Sequence, residues 1–80
     1  MITRIFGQLV RSERMALGLS QEALAERAEL HRNAIGLIER AERCPSIESV
    51  FAIAKGLNMP TTKLVARVEE MLIQAKPDPK

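Results

Sequence analysis

The spacing of the apolar residues constrains the fold of this chain more than any other feature. They recur every three or four positions almost from end to end, and no long alternating run typical of a β-strand occurs. Gly18, the segment Cys44-Pro45-Ser46 and Pro60 interrupt the pattern, and residues of these types commonly lie where helices end or begin. The sequence therefore predicts an all-α fold made of short helices.

The first two predicted helices meet at a glycine turn. Helix 1 covers about residues 3–17, and Gly18 can end it by adopting the left-handed conformation that glycine accepts at little cost. Ser20 is the predicted N-cap of helix 2, which covers about residues 21–28 and precedes a tight turn at 29–30. The residues expected in the core are Phe6, Leu9, Val10 and Leu17 from helix 1, and Leu24, Ala25 and Ala28 from helix 2.

Helix 3 is predicted over about residues 32–40 and has two distinct faces. Ile35 and Ile38 share the face expected to be buried. A separate face carries Arg32, Asn33, Gly36 and Leu37. The polar residues of this second face, Arg32 and Asn33, lie in the first turn of the helix, where their side chains can extend furthest from the domain.

Two further helices complete the predicted fold. Helix 4 begins after Cys44-Pro45-Ser46, and Pro60 opens helix 5, which covers about residues 61–74. The apolar stripe of helix 4 is Ile47, Val50, Phe51 and Ala54, flanked by Ile53; that of helix 5 is Leu64, Val65, Val68, Met71 and Leu72. The helix 5 stripe is wider than one small domain needs, and Val65, Val68 and Leu72 are its expected dimer contacts.

Size and composition limit how this small core can be supported. The 80 residues form one domain, expected over residues 1–76, with a disordered tail at 77–80. A single cysteine, Cys44, and a single histidine, His31, exclude a disulfide framework and a metal-ligand cluster, so we expect a homodimer. The net charge of +2 permits nucleic-acid binding. No segment has the pattern of a membrane span or a signal peptide, which favours a cytoplasmic protein.

Three segments, GLSQEALAERA, IGLIERAERCPS and IAKGLNM, resemble the Cro/C1-type (XRE-like) helix-turn-helix DNA-binding proteins. The resemblance covers roughly residues 6–59. It implies a compact five-helix, lambda-repressor-like domain in which helix 2 crosses the DNA backbone and helix 3 lies in the major groove. It also implies a homodimer bound to a near-palindromic operator in double-stranded DNA, and hence a transcriptional regulator. Small members of this family include restriction–modification controller proteins, phage-type repressors and antitoxins.

Within that frame, the exposed residues divide into those that bind phosphates and those that read bases. Arg suits guanine and Asn suits adenine in the major groove, and Leu37 can touch a thymine methyl group. Gly36 replaces the small polar residue common at its position and would let the helix approach the bases closely. The expected base contacts are Arg32, Asn33, Gly36 and Leu37, and the expected phosphate contacts are Ser20, Gln21, His31, Arg40 and Arg43.

Three charged residues have other implied roles. The resemblance places Arg14 and Glu39 in an ion pair that orients helix 1 against helix 3. Glu42 would face the phosphates unfavourably, and as an exposed acid it is a candidate for contact with RNA polymerase. Neither role involves reading the DNA sequence.

Each assignment has a plainer alternative in the residues alone. Arg32 and Asn33 also fit a solvated helix face, and Gln21 fits any helix N-terminus. His31 fits a cap or turn residue, and Cys44 fits a small turn or core residue. Leu37 could equally be partly buried.

For the whole chain, the alternative function is a protein-interaction module, or an antitoxin-type component, that uses the same helical fold. Such a module would present an acidic or apolar surface where this chain has basic and polar residues. No catalytic set, phosphate-binding glycine loop or metal-ligand spacing can be drawn from the sequence, so we expect no enzyme activity, no cofactor and no small-molecule ligand.

Overall fold

The computed structural model describes residues 1–75, and in that range it contains five helices and no strand. They are α1 (Ile2–Ala16), α2 (Gln21–Ala28), α3 (Arg32–Glu39), α4 (Ile47–Gly56) and α5 (Thr61–Ala75). The prediction of an all-α, five-helix fold is confirmed. The tail predicted at 77–80 and the domain boundary at 76 lie outside the described residues.

Serine side chains fix where two of the helices begin. The Ser20 hydroxyl oxygen accepts a hydrogen bond from the Ala23 N–H at 3.0 Å, as predicted for the N-cap of α2. The Ser46 hydroxyl oxygen accepts from the Ser49 N–H at 3.0 Å and caps α4 in the same way. Each bond satisfies a backbone donor that has no partner inside its helix.

The first four helices all end in the Schellman arrangement, with one residue in the left-handed conformation. That residue is Gly18 (φ +72°) after α1, Glu29 (φ +58°) after α2, Ala41 (φ +60°) after α3 and Asn58 (φ +59°) after α4. In each case the next N–H donates to a carbonyl five residues back, as Glu42 does to Leu37 at 2.8 Å. In three of these turns, the residue that follows the left-handed one is apolar and packs against the core. These residues are Leu19, Leu30 and Met59.

The core confirms most of the predicted buried residues and corrects three. Leu17 is 49% exposed, because the chain reverses at Gly18 and places Leu19, rather than Leu17, against the core. Ile47 and Phe51 are 69% and 57% exposed. The main residues of the core are Phe6, Leu9, Val10, Leu24, Ala25, Ile35, Ile38, Ile53, Ala54, Leu57 and Leu64.

The correction in α4 follows from the rotation of that helix about its axis. Its inward face carries Ile53 and Ala54, which are buried, with Val50 partly buried beside them. Ile53 was predicted only to flank the stripe, yet it is completely buried. Ile47 and Phe51 therefore lie on a second apolar face that the core of this chain does not cover.

Close contact between α1 and α3 depends on Gly7. A Cβ at this position would lie 2.4 Å from the Ile38 carbonyl oxygen and 2.8 Å from that of Glu39. Only a residue without a side chain permits this approach, since the neighbouring atoms are backbone and cannot move aside. The contact sets the position of α3 on the domain.

None of the helices within residues 1–75 has the length and apolar character needed to cross a membrane.

Candidate functional site

A shallow cleft opens on the surface between α2 and α3, and most of the predicted DNA-contacting residues line it. We call it the α2–α3 cleft; its lining residues are Gln21, Glu22, Arg32, Asn33, Gly36, Leu37 and Arg40. All four predicted base-contact residues lie here, together with two of the five predicted phosphate-contact residues. Glu22 was not predicted, and it faces Arg32 across the cleft.

The predicted base-contact residues differ in how far they are exposed. Arg32 and Asn33, at the start of α3, are exposed, and Leu37 is half-buried one turn later. Gly36 is buried, and a Cβ there would lie 3.1 Å from Nη1 of Arg40 and 3.5 Å from Oε1 of Gln21. Gly36 thus forms the floor of the cleft, with Arg40 and Gln21 above it.

The N-terminus of α2 borders the cleft. Helix N-termini carry backbone N–H groups without intrahelical partners and a partial positive charge, both of which favour a phosphate. The Ser20 hydroxyl oxygen accepts in the cap, so its O–H and the backbone N–H groups of this turn can still donate to a phosphate. Gln21 donates from Nε2 to Oε1 of Glu39 at 3.1 Å, which fixes the orientation of its amide.

His31 caps α3. Its Nδ1 accepts a hydrogen bond from the Asn33 N–H at 3.1 Å, which is the cap role that the sequence left open. In the neutral imidazole this leaves the proton on Nε2, as a donor on an exposed side chain. The cap and a phosphate contact through Nε2–H are therefore compatible.

Arg40 and Arg43 lie at and beyond the end of α3, and both are exposed. Arg40 pairs with Glu42, with Nε 3.2 Å from Oε2 and Nη2 3.4 Å from Oε1. The carboxylate of Glu42, which was expected to face phosphates, thus has a cationic partner within the chain.

A largely buried ion pair lies between α1 and α3, next to the cleft. Nε and Nη2 of Arg14 donate to the two carboxylate oxygens of Glu39 at 2.7 Å and 3.0 Å, and Nη1 donates to the Leu19 carbonyl at 2.8 Å. The Glu39 side chain is only 2% exposed. With Gln21 as its third donor, this carboxylate connects α1, α2 and α3.

The hydrogen bond to Glu39 raises the pKa of Arg14; the charge of Glu39 adds to this and burial opposes it. A raised pKa means that the stabilising charge is fully present below the ordinary pKa of arginine. It is lost only as the pH rises past the pKa of the folded state. Arg14 therefore stays charged throughout the neutral range.

A second surface feature is an apolar groove between α4 and α5. We call it the α4–α5 groove; its lining residues are Ile47, Phe51, Thr61, Thr62, Val65, Ala66 and Glu69. Of the predicted dimer contacts, Val65 lies in the groove and is 48% exposed. Leu72 is half-buried, and Val68 is partly buried against the core of the same chain. The sequence did not indicate that Ile47 and Phe51 would line an exposed groove, because their spacing equally fits a stripe that packs into the core.

Five short helices with a cleft between the second and third define a helix-turn-helix protein. Residues 10–64, more than half of the chain, match the Helix-turn-helix family, and the chain belongs to that family. The predicted resemblance is confirmed.

The relatives are control proteins. Control protein C.SmaI of Serratia marcescens is 44% identical over 66 residues, which are 82% of this chain and 79% of that protein. Control protein C.BamHI of Bacillus amyloliquefaciens is 41% identical over 59 residues, or 72% of this chain and 73% of that protein. Both relatives are named control proteins and neither name is that of an enzyme, which agrees with the prediction for this chain.

Solved structures show the same fold. The restriction-modification controller protein C.Esp1396I, solved as a tetramer in complex with its natural 35 base-pair operator, superposes with a TM-score of 0.85. The two sequences are 26% identical, and the superposition covers 91% of this chain and 96% of the controller protein chain.

Proposed function

We propose that this protein is a sequence-specific DNA-binding transcriptional regulator, of the restriction–modification controller type, that binds its operator as a homodimer. The observation that carries the proposal is the α2–α3 cleft, where exposed Arg32 and Asn33 begin one helix beside the N-terminus of another. The similarity to control proteins, one of them solved on its operator, supports the same function.

Base reading is assigned to the start of α3. Arg32 can donate two hydrogen bonds to O6 and N7 of guanine, and Asn33 can pair with N6 and N7 of adenine. Each such pair discriminates against a wrong base by about 1–3 kcal/mol. Leu37 lies one turn further along, at a suitable place for a thymine methyl group.

Phosphate contacts are assigned to the rim of the cleft and the loop beyond it. Ser20 and Gln21 would bind one phosphate, and His31, Arg40 and Arg43 would bind others. Such contacts set the register of the protein on the duplex without reading sequence. Each neutralised phosphate adds about 0.9 to the slope of log affinity against log salt. Glu42 remains a candidate contact for RNA polymerase, since its carboxylate is about half exposed beside Arg40.

The α4–α5 groove is the proposed dimer interface, with a second copy of this chain as its occupant. Ile47, Phe51 and Val65 expose apolar surface together, which an isolated soluble domain of this size rarely does. Leu72 continues the Val65 face two turns along α5, and Val68 lies at its margin. A two-fold dimer would place two copies of α3 about 34 Å apart, in successive major grooves of a near-palindromic site.

Selection of bound sequences from a random duplex pool tests this function, with wild-type protein and with Arg32→Ala at one fixed salt concentration. The wild type should enrich a palindrome, and Arg32→Ala should lose preference for one base pair in each half-site. Arg27→Ala is the matched control, since Arg27 is exposed on α2 but does not line the cleft. No enrichment by the folded wild type would instead favour the protein-interaction module.

A further inference from the structure

Arg32, the proposed guanine-reading residue, forms an ion pair with a carboxylate of α2. Nη1 of Arg32 donates to Oε2 of Glu22 at 2.5 Å, joining the first residue of α3 to the first turn of α2. The two side chains are 65% and 67% exposed, and both line the α2–α3 cleft. The contact thus lies on the proposed DNA-binding surface, away from the core.

Stability does not account for this ion pair. Exposed pairs add little to folding, because water screens the charges and two long side chains lose rotamer freedom. An acidic residue is also unfavourable on a surface that meets phosphates. A role in binding accounts better for its place.

The geometry leaves Arg32 able to read a base while paired. A guanidinium has five N–H donors in one rigid plane, and the contact with Glu22 uses one of them, on Nη1. Donors on Nε and Nη2 remain, side by side on another edge. That edge matches the two acceptors that guanine presents in the major groove.

We propose that Glu22 is a positioning residue that holds the Arg32 guanidinium in the orientation that reads guanine. This inference rests on the proposed function. An ordered arginine loses less freedom on binding its guanine, and preorganisation of this kind increases affinity for the correct site. The carboxylate also competes with phosphates for Arg32, and therefore weakens binding to DNA that offers no guanine at that position.

The loss of Glu22 should reduce specificity by changing the affinities for specific and for non-specific DNA in opposite directions. Specific binding weakens because Arg32 must be ordered during binding. Non-specific binding strengthens because a released Arg32 can reach a phosphate. The ratio of the two affinities should fall by about 1.4- to fivefold, the range that an exposed ion pair spans. The salt slope for non-specific DNA should steepen by about 0.9 if one further phosphate is bound.

The test compares Glu22→Gln with Glu26→Gln. Both variants remove one negative charge from α2, and Glu26 is exposed but does not line the cleft. Kd is measured over a series of salt concentrations for a duplex with one copy of the enriched palindrome, and for a scrambled duplex of equal length. Only Glu22→Gln should lower the affinity ratio and the preference at the guanine position, while both variants unfold at the wild-type temperature.

A double variant isolates the contact with Arg32. In the Arg32→Ala background, Glu22→Gln should have no effect beyond that of Glu26→Gln. The inference is overturned if Glu22→Gln behaves like Glu26→Gln, or if it changes affinity for both duplexes equally. If the wild type does not distinguish the two duplexes, the proposed function fails and this inference fails with it. If the wild type does distinguish them, failure of the Glu22 comparison leaves the proposed function intact.

Discussion

Glu39 is the residue through which three helices meet. Its buried carboxylate accepts from Arg14 of α1 and Gln21 of α2 while being part of α3. A buried carboxylate needs every one of these partners, because burial of an unpaired charge is costly. This group therefore adds polar contacts to the apolar packing that positions α2 and α3 on either side of the cleft.

Removal of Arg14 should therefore destabilise the whole domain. Arg14→Ala leaves the Glu39 charge buried without its main partner, and we expect a loss of about 3–5 kcal/mol in the free energy of unfolding. Urea denaturation measures this loss. Arg11→Ala, an exposed position on the same helix, should cost less than about 0.5 kcal/mol. Equal stability of the two variants would contradict the structural role of the ion pair.

At the scale of the element, the helix ends are more uniform than the helices themselves. Four successive helices close with the same Schellman hydrogen bonds, although the left-handed residue is glycine only after α1. Glu29 and Ala41 carry a Cβ in a conformation that disfavours one by about 1–2 kcal/mol. These two turns bound α3 on either side, so the sequence leaves strain at both ends of the proposed recognition helix.

Relief of that strain should be measurable at Ala41. Ala41→Gly removes the Cβ cost but adds backbone freedom to the unfolded chain, worth about 0.5–1 kcal/mol. We expect a net stabilisation of up to about 1.5 kcal/mol in thermal or urea unfolding. Ala34→Gly, within α3, should instead destabilise by about 0.5–1 kcal/mol. A destabilisation of the same size at both positions would show that the turn at Ala41 is not left-handed in solution.

At the scale of the whole molecule, the sequence predicts local features such as caps and turns. It does not predict which apolar helix faces pack into the core and which stay exposed. The Ser20 cap and the Gly18 turn depend on adjacent residues, so their sequence signals are direct. Ile47 and Phe51 have helical spacing, which predicts an apolar face but does not say whether that face packs against its own core. Glu22 was missed because its partner, Arg32, lies on another helix, and only the fold brings the two together.

The exposed face of α4 should hold two copies together. Phe51→Asp places a charge in the α4–α5 groove, and burial of an unpaired charge opposes association. Sedimentation equilibrium should find a dimer for the wild type and a monomer for Phe51→Asp. Met15→Asp is the control, because Met15 is a comparably exposed apolar residue outside the groove. Dissociation of both variants, or of neither, would exclude the groove as the interface.

Replacement of single guanines by 7-deazaguanine in the enriched duplex tests the central claim, base reading by α3 in the major groove, most directly. The replacement removes only the N7 acceptor, which lies in the major groove. At one guanine in each half-site it should cost the wild type at least about 1 kcal/mol, roughly fivefold in Kd, and cost Arg32→Ala nothing further. Unchanged wild-type affinity at every guanine would contradict major-groove reading by Arg32.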